Sequence, residues 1–356
     1  MTTPPAPAVC AVSTALPPHY ASQIELAGAL KRLWSTQHYN VERFEQLLQA
    51  VQVDGRYLAL PTDAYFELDT FARCNDQWIE CAQALGERAC RDVLAQAQLQ
   101  PEQIDHIFFT TVTGIATPSI DARLVNRIGL RSDIKRTPLF GLGCVAGAAG
   151  LARVSDYLRA FPRQRSLLVS VELCSLTLQR QDLSVANVIA SGLFGDGAAA
   201  VLVCGAELAA TDAPRVVDSH AVLYPDTERV MGWDLVDTGF KIVLSAQVPE
   251  LVRAHVRKDV DAFLQRHGLQ RGDIKHWIVH SGGPKVLEAL SDALELEAGA
   301  LDRSWRSLRE VGNLSSASVL FVLRSFLQEA QARPGDLGVV MAMGPAFCAE
   351  MVLLRW

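Results

Sequence analysis

The sequence predicts an α/β protein made of two similar layered units. Three observations carry this. From residue 106 onward the chain alternates apolar strand-like runs with amphipathic helical stretches, and the same order returns in the second half. The chain's 356 residues, 49% hydrophobic and 20% charged, are enough for two domain-sized cores or one large fused core.

Ahead of the alternation, roughly the first hundred residues read as strand-poor and helical. "SQIELAGALKRLW" and "NDQWIECAQALGERACRDVLAQAQL" carry apolar residues at helical spacing. The β-rich part begins at "QPEQIDHIFFTT". The spacing then predicts strand "HIFFTTVTG", helix "SIDARLVNRIG", a strand around "TPLFGLG" and a helix from Cys144 to about Ala160. Strand "SLLVSVEL", a helix near "LSVANVIAS" and strand "AAAVLVCG" complete the first unit. Strands this apolar are buried on both faces.

The second unit echoes the first. "DIKHWIVHSGG" repeats the pattern of "QIDHIFFTTVTG", "GNLSSASVLFVLRSFLQEA" that of "GCVAGAAGLARVSDYLRAF", and "DLGVVMAMG" that of "SLLVSVEL". In both, the apolar strand precedes the small-residue helix start by about 40 residues, which marks an internal duplication. The expected division is 1–205 and 206–356, with a cleft where the two meet and the strand-to-helix turns of both facing it.

Composition excludes several function classes. A formal net charge of -6, with no dense Lys/Arg block, argues against a nucleic-acid surface. The cysteines at 10, 74, 81, 90, 144, 174, 204 and 348 form no CxxC pair and no zinc-type spacing with histidine, so they read as reduced thiols. The N-terminal "MTTPPAPAVCAVSTALPPHY" lacks the basic residues and apolar core of a signal peptide, and no apolar run is long enough to span a bilayer. A cytoplasmic location is expected. His106 and His276 sit at matching places near paired strand starts and read as structural; His19, His38, His220, His255 and His267 have no constellation around them.

Cys144 stands out. It follows "GLG" at the head of a helix of small residues, and the equivalent turn of the second unit, "EVGNLSSASVL", places Asn313 where the first has the cysteine. His280 ends the strand just before "SGGP". A cysteine at a helix N-terminus faces unpaired backbone N–H groups, and a neighbouring imidazolium lowers its pKa further, so a thiolate at neutral pH is expected. That thiolate can take an acyl group from a thioester. His280 and Asn313 can donate to a thioester oxygen and stabilise the enolate left when a malonyl group loses CO2.

In these residues the sequence resembles the chalcone synthase-like, or type III, polyketide synthases of the thiolase fold. "GLGCVAGAAG", "LFGDGAAA", "VHSGGPKVL", "GNLSSASVL" and "AMGPAFCAEM" carry the resemblance, in order, over nearly the whole chain. It implies duplicated α-β-α-β-α halves with the active site at their junction, Cys144 as acyl-carrying nucleophile, and His280 and Asn313 as the decarboxylation and oxyanion pair. It implies Phe194 as a gate between CoA tunnel and reaction cavity, and a homodimer acting on acyl-CoA and malonyl-CoA with no metal or prosthetic group. A ketoacyl synthase III would read H-Q-A-N after its histidine, which this chain does not. A non-catalytic relative of the fold would lack the nucleophile, which this chain keeps.

Departures from the plant-like pattern bear on substrate. A second gate phenylalanine of many relatives falls on Ile242, and a cavity-wall glycine falls on Trp233. Ala346 replaces the last glycine of "GPG". In relatives that accept long acyl chains, the positions of Thr113, Thr117 and Cys174 line a side tunnel, and all three are small here. Thr177 and Ser315 complete the expected substrate-binding set, with Lys285 on the pantetheine or phosphate side. Asp196 in "LFGDG" is equally well a structural turn residue. The resemblance implies a fatty acyl starter and an alkylpyrone or alkylresorcinol product.

Overall fold

The computed structural model describes residues 6–37, 39–329 and 332–356. His38 lies outside the described residues. The first unit runs through β1 (Ala8–Ala15), β2 (His19–Ser22), α1 (Gln23–Leu33), α2 (Val41–Ala50), β3 (Gly55–Leu58) and α3 (Phe71–Gln96). It continues through β4 (His106–Thr111), α4 (Ile120–Ile128), β5 (Lys135–Phe140), α5 (Ala146–Ala160), β6 (Arg165–Leu173), α6 (Val185–Leu193) and β7 (Asp196–Cys204). The second unit comprises β8 (Arg215–Leu223), β9 (Met231–Val236), β10 (Gly239–Leu244), α7 (Val248–Gln265) and β11 (Ile274–Val279). It ends with α8 (Pro284–Leu294), α9 (Asp302–Val311), α10 (Ser318–Glu329), β12 (Leu337–Gly344) and β13 (Cys348–Arg355).

One nine-stranded sheet passes through both units in the order β11-β12-β13-β8-β1-β7-β6-β4-β5. The two units meet at β1 and β8, which share the single register pair Ala8↔Arg215. Outward from that seam the orders mirror each other, β1-β7-β6-β4 against β8-β13-β12-β11, with an antiparallel inner part and a parallel outer pair in each.

Alternate residues of the strands feed different cores. In β7, Ala198, Ala200 and Leu202 pack with α3, whereas Ala199, Val201 and Val203 join α5 and α10. In β12, Val340 and Ala342 face that same central layer, and Val339, Met341 and Met343 pack with α7 and α8. The period-two pleat of strands covered on both faces therefore gives five layers, with α5 and α10 in the middle.

The small-residue start of α5 follows from that sandwiching. A Cβ on Gly147 would lie 2.3 Å from the Ser316 carbonyl oxygen, and one on Gly150 would lie 2.6 Å from Leu168 Cδ1. Only glycine lets α5 approach α10 and β6 this closely.

Two expectations need correction. The first hundred residues are not strand-poor: "AVCAVSTA" is β1, at the centre of the sheet, and β2 and β3 pair as a separate ribbon. β1 was illegible as a strand because small residues in it leave room for α3 and α10, blurring the alternation. The counterpart of Cys144 is Ser316, not Asn313. Cys144 precedes α5 by two residues, as Ser316 precedes α10, and the two turns share a left-handed residue, Gly143 (φ 58°) and Ser315 (φ 49°).

Both structural histidines have side-chain partners. His106 Nε2 meets Thr137 Oγ1 at 2.8 Å, and His276 Nε2 meets Asp336 Oδ2 at 3.2 Å.

Candidate active site

Three turns from the two units converge on a cavity of about 460 Å³ lined by Cys144, His280, Asn313, Ser315, Phe194, Trp233 and Ile242. Cys144 occupies the single 3-10 turn Gly143–Val145 that leads into α5, so its thiol sits at a helix N-terminus. Gly143 is required there twice over: its φ is left-handed, and a Cβ would strike Pro345 at 2.6 Å.

His280 follows the last residue of β11, held by donation of its N–H to the Met341 carbonyl (2.9 Å). A Cβ on Gly282 would sit 3.3–3.4 Å from the imidazole Cδ2 and Nε2, so "SGG" lets the loop fold closely over that ring edge. Nδ1 is buried with no partner among the described residues, which makes Nε2 the working nitrogen.

Asn313 is fixed by both backbone and side chain. Its N–H donates to Leu193 O (2.8 Å), its carbonyl accepts from Gly195 N–H (2.9 Å), and it forms an isolated parallel bridge with Phe194. Its Oδ1 accepts from Ser315 N–H at 2.8 Å, and its Nδ2 donates to Gly282 O at 3.0 Å, leaving one amide proton for the cavity. Glycines at 195 and 312 permit this approach, since a Cβ on either would fall 2.4 Å and 2.7 Å from a backbone oxygen of the opposing segment.

The electrostatics revise one expectation. Burial pushes the Cys144 thiol up to about 12, against a smaller lowering by its 3.5 Å hydrogen bond to Ser315 Oγ, and burial pushes His280 down to about 4. A standing thiolate is therefore not what this buried position favours. In a low-dielectric site opposite charges formed as a pair stabilise each other, whereas either one alone is penalised.

Phe194, Trp233 and Ile242 also line a second chamber of about 80 Å³, and so divide it from the nucleophile's cavity. Phe194 caps the C-terminus of α6, where its N–H reaches Ala190 O. Trp233 and Ile242 are direct cross-strand partners in the β9–β10 hairpin, which puts both on one face. Cys174 and Thr177 line the second chamber only, beside Arg56, Tyr65 and Ser175. Lys285 is exposed at the rim of the larger cavity.

Thr113 and Thr117 are elsewhere. Thr113 is buried, its hydroxyl donating to Glu172 Oε2 (2.9 Å) and accepting from Leu173 N–H (3.0 Å) and from Trp78 Nε1 (3.2 Å). Thr117 is exposed in the connection between β4 and α4. Neither lines either chamber, so the expected side tunnel does not run past them within this chain.

Sequence reasoning missed Glu172. It is fully buried, accepts from Ser316 Oγ and Val112 N–H (3.1 Å), and is held by burial at about 7 despite those bonds. A lone carboxylate inside the apolar run "SLLVSVEL" was the available signal.

Comparison with known proteins agrees with this geometry. The family model described as chalcone and stilbene synthases, N-terminal domain, matches residues 3–207, and the C-terminal domain model matches 215–356. The chain is 49% identical over 350 residues to a protein named 1,3,6,8-tetrahydroxynaphthalene synthase from Streptomyces peucetius subsp. caesius, covering 98% of this chain and 93% of that one. It is 35% identical over 358 residues to a putative chalcone synthase from Bacillus subtilis (strain 168), covering 98% of each. The crystal structure of 1,3,6,8-tetrahydroxynaphthalene synthase from Streptomyces coelicolor A3(2), a bacterial type III polyketide synthase, superimposes with a TM-score of 0.93 at 32% identity over 98% of this chain and 99% of that one. Matched in both halves and built on the same thiolase fold, the chain belongs to the chalcone and stilbene synthase family, the type III polyketide synthases, which are decarboxylating acyltransferases.

Proposed function

We propose that this enzyme builds an aromatic polyketide wholly from malonyl-CoA, of the tetrahydroxynaphthalene class. The observation that carries this is the size of the second chamber. At about 80 Å³ it is smaller than the roughly 150 Å³ cavity that holds one benzene, so it admits the tip of a chain and not a long acyl tail. The names of the Streptomyces relatives point the same way. Hydroxyls at 1, 3, 6 and 8 are the pattern of a folded chain with oxygen on alternate carbons, as decarboxylative addition of malonyl units produces.

The chemistry follows from the side chains. The thioester carbonyl of the starter is attacked by Cys144 as its proton passes to His280 Nε2, and CoA leaves with that proton. Malonyl-CoA then occupies the cavity with its thioester oxygen toward His280, in its neutral Nε2–H tautomer, and the free amide proton of Asn313. As CO2 departs, the negative charge on that oxygen meets both donors, and the enolate carbon attacks the acyl carbonyl carbon on Cys144, expelling the Cys144 thiolate and leaving the extended chain on CoA. Lys285 at the rim suits the CoA phosphates. We include a homodimer in this reading, because β5 is an open sheet edge ending in Phe140, 56% exposed. No helix among the described residues is long and apolar enough to cross a membrane, and we place the enzyme in the cytoplasm.

A fatty acyl starter giving an alkylpyrone or alkylresorcinol is the second reading. It is favoured by the apolar wall of the second chamber, where Leu26, Leu30 and Leu33 of α1 meet Leu178. Mass spectrometry of products from malonyl-CoA alone, and from malonyl-CoA with hexanoyl-, lauroyl- or palmitoyl-CoA, separates the two. A naphthalene-class product from malonyl-CoA alone supports the proposal. Efficient use of lauroyl-CoA, with no product from malonyl-CoA alone, overturns it.

A further inference from the structure

Asp196 takes no part in the steps above, yet it is the end of a directed hydrogen-bond chain. The residue opens β7 with its side chain fully buried. Its Oδ1 accepts from Ser175 N–H (2.8 Å), and its Oδ2 accepts from Ala59 N–H (2.6 Å) and Ser175 Oγ (2.5 Å). Ser175 Oγ lies 2.6 Å from the phenolic oxygen of Tyr65, which also accepts from Leu60 N–H at 3.2 Å.

The proton positions in this chain are set by counting. Ser175 has one hydroxyl proton, and the carboxylate takes it, so the proton between Ser175 and Tyr65 belongs to Tyr65. The phenolic oxygen keeps one lone pair beyond Leu60. Tyr65 and Ser175 both line the second chamber, whose one charged lining residue is Arg56, fully buried and bonded to Gln23 Oε1 (3.1 Å) and to the Ser191 and Gly192 carbonyls. Each proton in the chain points from the chamber toward the carboxylate. Two amides and a hydroxyl already satisfy Asp196 as a structural cap; the phenol adds nothing to that cap and extends the chain to the chamber wall.

We propose that Tyr65 and Ser175 relay a proton between the tip of a poly-β-keto chain, the part that the second chamber admits, and Asp196, making Tyr65 a catalytic residue for aldol ring closure. This rests on the polyketide-forming reading above. A methylene flanked by two carbonyls gives its proton to the Tyr65 oxygen as Tyr65 passes its own to Ser175 and Ser175 to Asp196. The resulting enolate carbon forms a C–C bond to a carbonyl carbon of the same chain that lies on the larger cavity's side of Phe194, Trp233 and Ile242, and the carbonyl π pair moves to its oxygen. That alkoxide takes a proton from Tyr65, which regains one from Ser175 and in turn from Asp196. The relay ends as it began, and no oxidant or reductant is involved. Arg56 supplies positive charge beside the enolate. Burial raises Asp196 from the usual carboxylate range to about 6, which suits a group that must accept and return a proton near neutrality.

The test uses Tyr65→Phe and Ser175→Ala in the full chain, given malonyl-CoA. CoA release reports chain building, and mass spectrometry with chromatography reports the ratio of carbocyclic product to lactones closed through oxygen. Loss of general acid–base help costs about 10²-fold or more, so that ratio falls by about a hundredfold in each variant while CoA release falls less than about tenfold. A variant that stays folded and keeps the wild-type ratio overturns the relay. So does a proportional loss of CoA release and carbocycle, which would mean that Tyr65 and Ser175 support the fold or loading. A wild type that releases CoA but makes lactones alone also overturns it. Absence of CoA release from malonyl-CoA by the wild type is a different failure, that of the proposed function itself.

Discussion

Adding one methyl at Gly147 is expected to disable the enzyme through geometry alone. A Cβ there would lie 2.3 Å from the Ser316 carbonyl oxygen and 2.6 Å from Val319 Cγ1, where ordinary contact begins at 3.4 Å. Relief requires about 1 Å of separation between α5 and α10, in an interior too dense to absorb it elsewhere. The turns that lead into those helices carry Cys144 on one side and Ser315 and Asn313 on the other. Misplacing reacting groups by about 1 Å costs on the order of a hundredfold in rate. The stability change is smaller, because overpacking at about 1–3 kcal/mol is partly offset by the roughly 1 kcal/mol gain of alanine over glycine in a helix. Gly28→Ala in α1 is the control. Its Cβ would meet nothing nearer than Arg32 Nη1 at 4.0 Å, so it should stabilise by up to about 1 kcal/mol and leave kcat alone. Malonyl-CoA decarboxylation and denaturant unfolding on both variants make the comparison. A Gly147→Ala enzyme with kcat near wild type would refute the claim that helix spacing sets the site.

Four further outcomes are expected. His280→Ala should move the alkylation of Cys144 by iodoacetamide to higher pH, because the thiolate forms as half of a pair; an unchanged pH profile would show that the thiolate forms without it. Asn313→Ala should lose decarboxylation by about 10²–10³-fold while keeping some acyl loading, which mass analysis of the acyl-enzyme reads directly. Ala346 holds a left-handed φ of 54°, so Ala346→Gly should raise stability by about 0.5–1 kcal/mol in urea titration, with destabilisation as the contrary result. Glu172 is raised from 4.5 to about 7, so its proton is held more tightly in the folded state and the protein loses stability as pH rises through that window; Glu172→Gln should remove a decline on the order of 3 kcal/mol between those pH values.

The parts of this protein that are legible in its sequence are those set by local pattern. Cys144, His280 and Asn313 each end or begin an element whose neighbours are forced to be small, so "GLGC", "HSGG" and "GNLSS" announce them. The alternation from β4 to β7 is legible because those strands are apolar on both faces. Register across the molecule is not. Aligning Asn313 with Cys144 counts correctly from strand to turn but misses that Asn313 is drawn out of the helix start by its bridge to Phe194. The chamber behind the gate was legible only at Cys174 and Thr177, because the rest of its wall joins Tyr65 and Ser175, 110 positions apart, and includes α1, which carries no motif. Thr113 was misplaced because a small residue at a strand end looks the same whether it opens space or bonds a buried carboxylate.

The three side chains dividing the chambers are not equally free to change. Phe194 shares a backbone bridge with Asn313, so a replacement that shifts its backbone also shifts the amide proposed to meet enolate charge. Trp233 and Ile242 stand on a two-stranded ribbon that, among the described residues, has no strand partner in the main sheet. A lineage exploring new products can therefore vary that ribbon while its condensing chemistry stays intact. An engineer choosing where to randomise should begin at 233 and 242 and leave 194 alone.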